Sequence, residues 1–312
     1  MTVTPLQLAA IVSAGVPDLY PVAALPSIDD AADFDSAIII DSADRRWRVR
    51  SPKHPEASVR LEAEHVILQS FSAGLRERLP FLVPTIVGSV DVRGLQTFIY
   101  THIPGVHYDI DQLAQLAGSS KDGSQDLAGD IGKLIATIHV LPENIVEDAN
   151  LPVYTTEQMR SRRLSELERA EKTGKLPEGL RARWHSYLRD DSLWTFRPRL
   201  IHGDLNEDNL VLNGEKITEV TGWSEVCVGD PALDFSWLLA CQDQNFTNRV
   251  MEVYSDLMPQ APDKSLTLRA NLYAEFALAQ WLIRGIELED ADMIAEAVRM
   301  LQTLEQDLNL RS

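Results

Sequence analysis

The segment Leu200–Leu239 constrains the fold of this chain more than any other stretch of its 312 residues. An apolar run ends in a His-Gly-Asp tripeptide whose aspartate is Asp204, and Asn209 follows five residues later. An Asn-Gly pair then separates two short apolar runs, which is the strongest short signal for a β-hairpin. A second acidic phrase, Gly-Asp-Pro-Ala-Leu-Asp-Phe, contains Asp234. This order predicts a polar loop, a hairpin and a second polar loop in close succession.

Asp204 and Asn209 have the residue types and the spacing of a kinase catalytic loop. In such a loop the aspartate accepts the proton of a hydroxyl group, and the asparagine oxygen holds a metal ion near a nucleotide. Phosphoryl transfer needs an oriented hydroxyl and cations on the phosphate oxygens more than it needs covalent help. An isolated Asp and Asn at this spacing is better explained by turns and caps than by catalysis. The phrases on both sides favour the catalytic interpretation.

The rest of the chain divides near residue 103 into two regions. Strands and one helix are predicted before this point, and mostly helix after it. The predicted strands are Ala37–Asp41, Arg46–Arg50, Val83–Val90 and Leu95–Tyr100, and the predicted helices are Ser58–Ala73, Leu127–Val140 and Thr156–Lys172. A capping box, Thr155 with Gln158, opens the last of these helices. The fold class is therefore α+β with two lobes, residues 1–102 and 103–312, and an active site between them.

The charge of the chain excludes several partners. Lys and Arg total 29 and Asp and Glu total 47, so the formal net charge is −18. Nucleic-acid binders usually present a basic face, so nucleic acid and anionic membrane surfaces are not expected partners. The acidity is explained by solubility, or by a pocket that attracts a cationic ligand. The two cysteines form no disulfide framework, and no Lys or Arg precedes Arg45 to form a signal peptide, so a cytoplasmic location is expected.

With these motifs in place, the chain resembles the aminoglycoside and macrolide phosphotransferase family, which has a protein-kinase-like fold. The resemblance spans the chain and is sharpest over Ile201–Phe235 and Arg48–Leu68, the second of which resembles macrolide phosphotransferases in particular. It implies a small N-lobe with an antiparallel sheet and one main helix, and a larger, mostly helical C-lobe with an embedded hairpin. It also implies that Asp204 is the catalytic base, that Asn209 is a metal ligand, and that His202 and Asp234 support the catalytic loop.

The resemblance also implies a nucleotide site in the N-lobe. The family places a basic residue over the nucleotide phosphates and pairs it with a helix glutamate; Arg50 and Glu64 are the candidates, with Arg48 as the alternative to Arg50. The segment Tyr100–Gly105 corresponds to the hinge that holds the purine through backbone groups. The hinge residues concerned are Tyr100, Thr101, His102 and Ile103.

Gly222 is the first departure from the family pattern. In the family, the strand after the hairpin ends in an aspartate that binds the Mg²⁺ bridging the phosphates, and Gly222 stands in its place. Loss of that carboxylate removes the main ligand for a hard cation. Three explanations remain open: a non-catalytic kinase fold, a metal held by Asn209 with a neighbouring acid, or a sensor that only binds. The neighbouring acids are Glu207, Asp208 and Glu225.

The loop Ser27–Ser36 is the second departure. A loop at this place often cradles phosphates with glycine or serine amides, but here it has no glycine and four aspartates. These charges would repel a triphosphate unless they point to solvent. Because some macrolide-directed relatives use GTP, the expected co-substrate is left open as ATP or GTP, and Mg²⁺ binding is expected to be weakened.

These observations predict a small-molecule kinase. It would transfer the γ-phosphoryl group of ATP or GTP to a hydroxyl of a cationic or amino-sugar compound, such as a macrolide or aminoglycoside. The alternative is a catalytically impaired, pseudokinase-like protein that binds a nucleotide or small ligand, because Gly222 replaces the metal-binding Asp. A third hypothesis is a kinase that acts on a metabolite. No phosphate-loop, dinucleotide, serine-hydrolase or zinc-protease motif supports another enzyme class.

Overall fold

The structure, a computed structural model, describes residues 3–27, 29–119 and 125–311. The predicted α+β class is confirmed: an antiparallel sheet lies in the first third of the chain, and the remainder is mostly helical. The predicted boundary between residues 102 and 103 remains a prediction. No helix in the described ranges is long and apolar enough to cross a lipid bilayer.

Five antiparallel strands form the N-terminal sheet in the order β1-β2-β3-β5-β4. They are β1 (Pro21–Pro26), β2 (Phe34–Asp41), β3 (Arg46–Pro52), β4 (Ile86–Val92) and β5 (Leu95–Thr101). In the β3–β5 register, Arg50 lies opposite Phe98 and Arg48 lies opposite Tyr100. Residues directly opposite each other, and residues two apart on a strand, share a face. Both arginines therefore project from the same face as Tyr100.

Helices cover both faces of this sheet. They are α1 (Pro5–Gly15), α2 (Pro55–Ser70) and the single turn α3 (Ala73–Arg76). The sequence patterns did not predict α1, whose Leu8 and Val12 pack on one face, and α2 covers the other. The predicted start of α2 at Ser58 was three residues late, because Pro55 begins the helix. Proline suits the first helical position, where its missing N–H has no partner to lose.

The C-terminal part contains eight α-helices and four short strands within the described residues, besides short 3-10 helices. The helices are α4 (Ile110–Ser119), α5 (Leu127–His139), α6 (Asn144–Asp148), α7 (Thr156–Lys172), α8 (Glu178–Arg189), α9 (Gln244–Leu257), α10 (Leu266–Glu287) and α11 (Ala291–Arg311). The strands are β6 (Arg199–Ile201), β7 (Leu210–Asn213), β8 (Lys216–Val220) and β9 (Cys227–Gly229). Strands β6 and β9 pair antiparallel, as do β7 and β8. The predicted helices α5 and α7, the capping box and the hairpin are all present.

One hydrophobic core joins the two lobes. Its centre is Trp223, which is fully buried and follows Gly222 directly. The rings of Phe71, after α2, and Phe81 lie 5.2 and 6.4 Å from the Trp223 ring. The main N-lobe helix is thus packed against the segment that follows the β7–β8 hairpin. This packing fixes the position of α2 relative to the catalytic loop.

Candidate active site

A buried aspartate braces the loop between β6 and β7. The carboxylate of Asp234 accepts hydrogen bonds from the backbone N–H groups of His202 and Gly203, each at 2.8 Å. Gly203 has a φ of +85°, and a Cβ there would lie 2.2 Å from the carbonyl oxygen of Glu225, so the turn requires glycine. The His202 ring is also buried, and its Nε2 lies 2.9 Å from the Thr221 carbonyl oxygen. The turn before Asp204 is therefore held by backbone and side chains together.

His139 extends this brace and was missed by the sequence analysis. Its Nε2 lies 3.1 Å from Asp234 Oδ2, and its Nδ1 lies 3.0 Å from the Tyr254 hydroxyl. Burial would raise the pKa of Asp234, but the bond from His139 holds the pKa of that carboxyl below its usual value. His139 ends an apolar helix in the sequence, and nothing there distinguishes it from a packed core histidine. Only the fold brings α5 and α9 to this aspartate.

Asp204 lies just beyond the braced turn and is exposed. The surrounding protein partly desolvates its carboxyl, and this desolvation, with the negative charge of Glu225, raises the pKa of Asp204 to about 6. Arg60 on α2 opposes the shift. An accessible carboxyl whose pKa lies near neutrality is suited to accept a proton. The predicted base is therefore accessible and has a raised pKa.

Asn209 occupies the space beside Gly222. Its Nδ2 donates a 2.6 Å hydrogen bond to the backbone carbonyl of Asp204. A Cβ added to Gly222 would lie 2.2 Å from Asn209 Oδ1, and Gly222 has a left-handed φ of +80°. The asparagine side chain therefore fills the volume that an aspartate at position 222 would need.

The donor set around Asn209 does not fit Mg²⁺ well. Mg²⁺ prefers several oxygens, usually with one or two carboxylates. Asn209 offers one amide oxygen, and Gly222 offers no side chain. Over the described ranges, no group of three or more His, Cys, Asp or Glu residues is placed to hold a metal. Three acids were considered as substitute ligands. The charge of Glu225 raises the pKa of Asp204, whereas the charge of Asp208 opposes the lowering of the pKa of His107.

Arg50 and Glu64 form the predicted ion pair. Arg50 Nη1 lies 2.9 Å from Glu64 Oε2, and the Tyr100 hydroxyl donates to the same oxygen at 2.9 Å. The other oxygen, Oε1, accepts a 3.2 Å hydrogen bond from the backbone N–H of Trp223. Glu64 therefore links β3, β5 and the segment after Gly222. Burial and the charge of Glu64 raise the pKa of Tyr100 well above its usual value.

Of the four aspartates in the loop Ser27–Ser36, Asp30 is exposed, but Asp29, Asp33 and Asp35 do not point to solvent, as nucleotide binding was expected to require. Asp29 receives two hydrogen bonds from Arg50, Nε to Oδ2 at 2.7 Å and Nη2 to Oδ1 at 3.0 Å. Arg48 Nη2 lies 3.4 Å from Asp29 Oδ2. Asp33 is buried and contacts Arg60. Opposite charges compensate these acids inside the protein; Ile28 of the same loop lies outside the described residues.

The hinge segment follows β5. The N–H of Thr101 donates to the Thr85 carbonyl at 2.9 Å, and the N–H of His102 donates to the Arg46 carbonyl at 3.1 Å. Desolvation and the nearby charges of Arg48 and Arg46 lower the pKa of His102 to about 4. The backbone N–H groups of Thr101 and His102 thus already donate to carbonyl groups of the N-lobe. Ile103 is the next residue along the hinge.

A protein-family model matches most of the chain. The model of the phosphotransferase enzyme family matches residues 25–264. A curated relative, the uncharacterized protein YcbJ of Bacillus subtilis strain 168, is 23% identical over 228 residues, covering 71% of this chain and 72% of the relative.

Solved structures of similar fold include two phosphotransferases. A macrolide 2'-phosphotransferase type I superposes with a TM-score of 0.77 at 22% identity, over 96% of this chain and 98% of that one. The GDP and kanamycin complex of APH(2")-IIia superposes with a TM-score of 0.79 at 21% identity, over 97% and 99%. At these identities the similarity shows the fold, and it confirms the predicted two-lobed, protein-kinase-like architecture.

Proposed function

Because this chain belongs to the phosphotransferase enzyme family, we propose that it transfers the γ-phosphoryl group of ATP or GTP to a hydroxyl group of a small molecule. The observation that carries the proposal is the position of Asp204, exposed on a loop that Asp234 braces. A rigid loop with an accessible base supplies the orientation that phosphoryl transfer needs.

In the proposed reaction, the acceptor hydroxyl loses its proton to Asp204 as its oxygen bonds to the γ-phosphorus. The bond from that phosphorus to the bridging oxygen breaks, and ADP or GDP leaves. Arg50, held by Glu64, supplies positive charge for the phosphate oxygens. Mg²⁺, when bound, would neutralise phosphate charge, but the donors at Asn209 and Gly222 do not fit it well, so we assign no step to the metal.

For the acceptor we propose a cationic or amino-sugar compound such as a macrolide or aminoglycoside. The neighbour solved with GDP and kanamycin supports a nucleotide and a small molecule as ligands of this fold. The carboxylate of Glu225, about half exposed and close enough to act on Asp204, would attract a cation to the base. We also propose that the protein acts in the cytoplasm, away from nucleic acid and membranes, in keeping with its net charge of −18.

A second candidate function is binding without catalysis. Gly222 removes the carboxylate that would hold Mg²⁺, and Asn209 fills the vacated space. A thermal-shift screen of ATP and GTP, with and without Mg²⁺, separates the two functions. Stabilisation that requires Mg²⁺ supports the kinase, and stabilisation by nucleotide alone supports the binding protein.

The kinase proposal is tested by replacing Asp204 with Asn. Release of ADP or GDP would be measured against a panel of macrolides and aminoglycosides. Loss of a general base is expected to lower turnover by about 10²–10⁴-fold, and wild-type kcat/KM should fall below about pH 6, where Asp204 becomes protonated. Glu215→Gln, in the β7–β8 hairpin, is the matched control and should retain turnover. Near-normal turnover of Asp204→Asn would exclude Asp204 as the base.

A further inference from the structure

The carboxylate of Asp29 occupies the binding edge of Arg50. Arg50 uses Nη1 for Glu64, and its opposite edge, Nε and Nη2, makes two parallel hydrogen bonds to Asp29. This bidentate geometry is the strongest arrangement between a guanidinium and an oxyanion. The side chains are 12% and 8% exposed, so little water competes for either partner. The arginine that the family pattern directs to nucleotide phosphates is thus already holding an anion.

Arg48 adds a second positive charge at the same place. Its Nη2 lies 3.4 Å from Asp29 Oδ2, and it projects from the same face of β3 as Arg50. Two guanidinium groups therefore converge on Asp29, while the Glu64 carboxylate offsets one of their charges from the other edge of Arg50. A phosphate group presents the same oxygen pair to an arginine edge. A phosphate could therefore take the place of the Asp29 carboxylate at the same donors.

The loop that carries Asp29 is fastened across the cleft. Arg284 on α10 donates to Asp30 Oδ2 at 2.7 Å and to Asp33 Oδ1 at 3.1 Å. Asp33 also contacts Arg60 on α2. These contacts join the loop between β1 and β2 to a C-lobe helix. They hold Asp29 in front of the arginines without any ligand.

We propose that Arg48 and Arg50 form a phosphate-binding site that the chain's own Asp29 closes, so that a polyphosphate binds by displacing the Asp29 carboxylate. The inference rests on the proposed nucleotide site, but it does not require phosphoryl transfer. An internal competitor lowers the apparent affinity by the fraction of molecules in which the site is open. Without a carboxylate at position 222, Mg²⁺ is held less well and neutralises less of the phosphate charge. The two arginines would then neutralise part of that charge instead.

The test is calorimetric titration of the full chain with inorganic tripolyphosphate, in the presence of EDTA. Asp29→Asn keeps the shape of the side chain and removes its charge, so it is expected to bind tripolyphosphate about tenfold more tightly than the wild type. Asp91→Asn is the matched control, because it removes one charge from the β4–β5 turn, where an amide oxygen can still accept from Gly94. Equal affinities of the two variants would overturn the proposal.

Two further measurements guard against an unfolded variant. Adding Arg48→Met to Asp29→Asn should weaken tripolyphosphate binding again, and an unchanged affinity would contradict the site. In the wild type, saturating tripolyphosphate should speed hydrogen exchange of residues 29–36; binding with unchanged exchange there would overturn displacement. Tighter binding by Asp29→Asn without turnover of any acceptor would support the site and reject the proposed kinase, and turnover without tighter binding would do the reverse.

Discussion

At the residue scale, Gly222 is where the chain departs most from a metal-dependent kinase. Restoring the aspartate meets two obstacles: the new Cβ would lie 2.2 Å from Asn209 Oδ1, and φ is +80°. The clash is with the end of a side chain, which can rotate if it gives up its bond to the Asp204 carbonyl. Aspartate tolerates a left-handed φ better than most residues. The substitution is therefore strained but structurally possible.

Gly222→Asp is expected to strengthen Mg²⁺-dependent ATP binding, because a carboxylate and the Asn209 amide oxygen would then stand side by side as ligands. The measurement is calorimetric titration with ATP, with and without Mg²⁺. Gly222→Ala is the control, since it adds the same Cβ without a ligand, and its backbone strain, about 1–3 kcal/mol, is no smaller than that of aspartate. An equal Mg²⁺ response from both variants would show that the site is reorganised beyond this position.

At the element scale, strand β8 carries a buried acid that the sequence analysis did not single out. Glu219 is 3% exposed, and its Oε1 has no hydrogen-bond partner in the part of the chain that the structure describes. Burial raises the pKa of Glu219 from 4.5 to about 7, with Arg48 opposing the shift. Between these two pH values the folded protein holds a proton that the unfolded chain has released. Stability therefore falls as the pH rises through this window.

Glu219→Gln removes this pH-dependent loss of stability. The free energy of unfolding at about pH 8 is expected to rise by up to about 3 kcal/mol, with little change near pH 4. Urea denaturation at both pH values measures the difference. Glu215→Gln, in the same hairpin and only partly buried, should give no such pH-dependent gain. A gain of equal size at both pH values would point to packing instead of ionisation.

The elements also show what local patterns can predict. The β7–β8 hairpin and helix α7 follow from an Asn-Gly turn and a capping box, which act over a few residues. Helix α1 was not predicted, although it begins with a capping box at Thr4 and Gln7 and has proline at its start. Its short apolar stripe was insufficient to identify it. Its apolar residues are recognisable as core residues only when the sheet that they pack against is known.

At the scale of the whole molecule, Arg269 holds three parts of the C-lobe together. It is fully buried on α10 and forms bidentate bonds with Asp230, at 2.7 and 3.0 Å, and with Asp263, at 2.7 and 2.9 Å. The Tyr273 hydroxyl donates to Asp230 as well. Asp230 precedes the 3-10 helix Pro231–Ala240, which contains Asp234. The support of the catalytic loop thus depends on a distant helix.

Arg269→Met is expected to lower the free energy of unfolding by about 3–5 kcal/mol, because it leaves two carboxylates without their partner. Urea denaturation measures this change. Arg249→Met is the control: its pairs with Asp126 and Glu252 are exposed and should contribute little. A similar loss in the two variants would mean that the buried network has no special role.

The net charge of the whole chain did not predict the charge that a ligand meets near the arginines of β3. On the sequence alone, the aspartates before β2 were expected to repel a triphosphate unless they faced solvent. In the structure, Asp29 and Asp33 face arginines on β3 and α2 instead. Composition counts charges but does not show which of them are paired. Pairing decides the field that a ligand meets in the cleft.

The sequence by itself determined the family, the fold class and the order of the catalytic segment, because these depend on short motifs whose spacing is fixed along the chain. Asp204 and Asn209 could be proposed from such motifs, whereas Arg50 and Glu64 were proposed from the family resemblance, with Arg48 as the alternative to Arg50. Only the tertiary structure brought His139 to Asp234, filled the space beside Gly222 with Asn209, and placed Asp29 on Arg50. These contacts join residues far apart in the chain, and packing, hydrogen bonding and charge pairing between separate elements decide them.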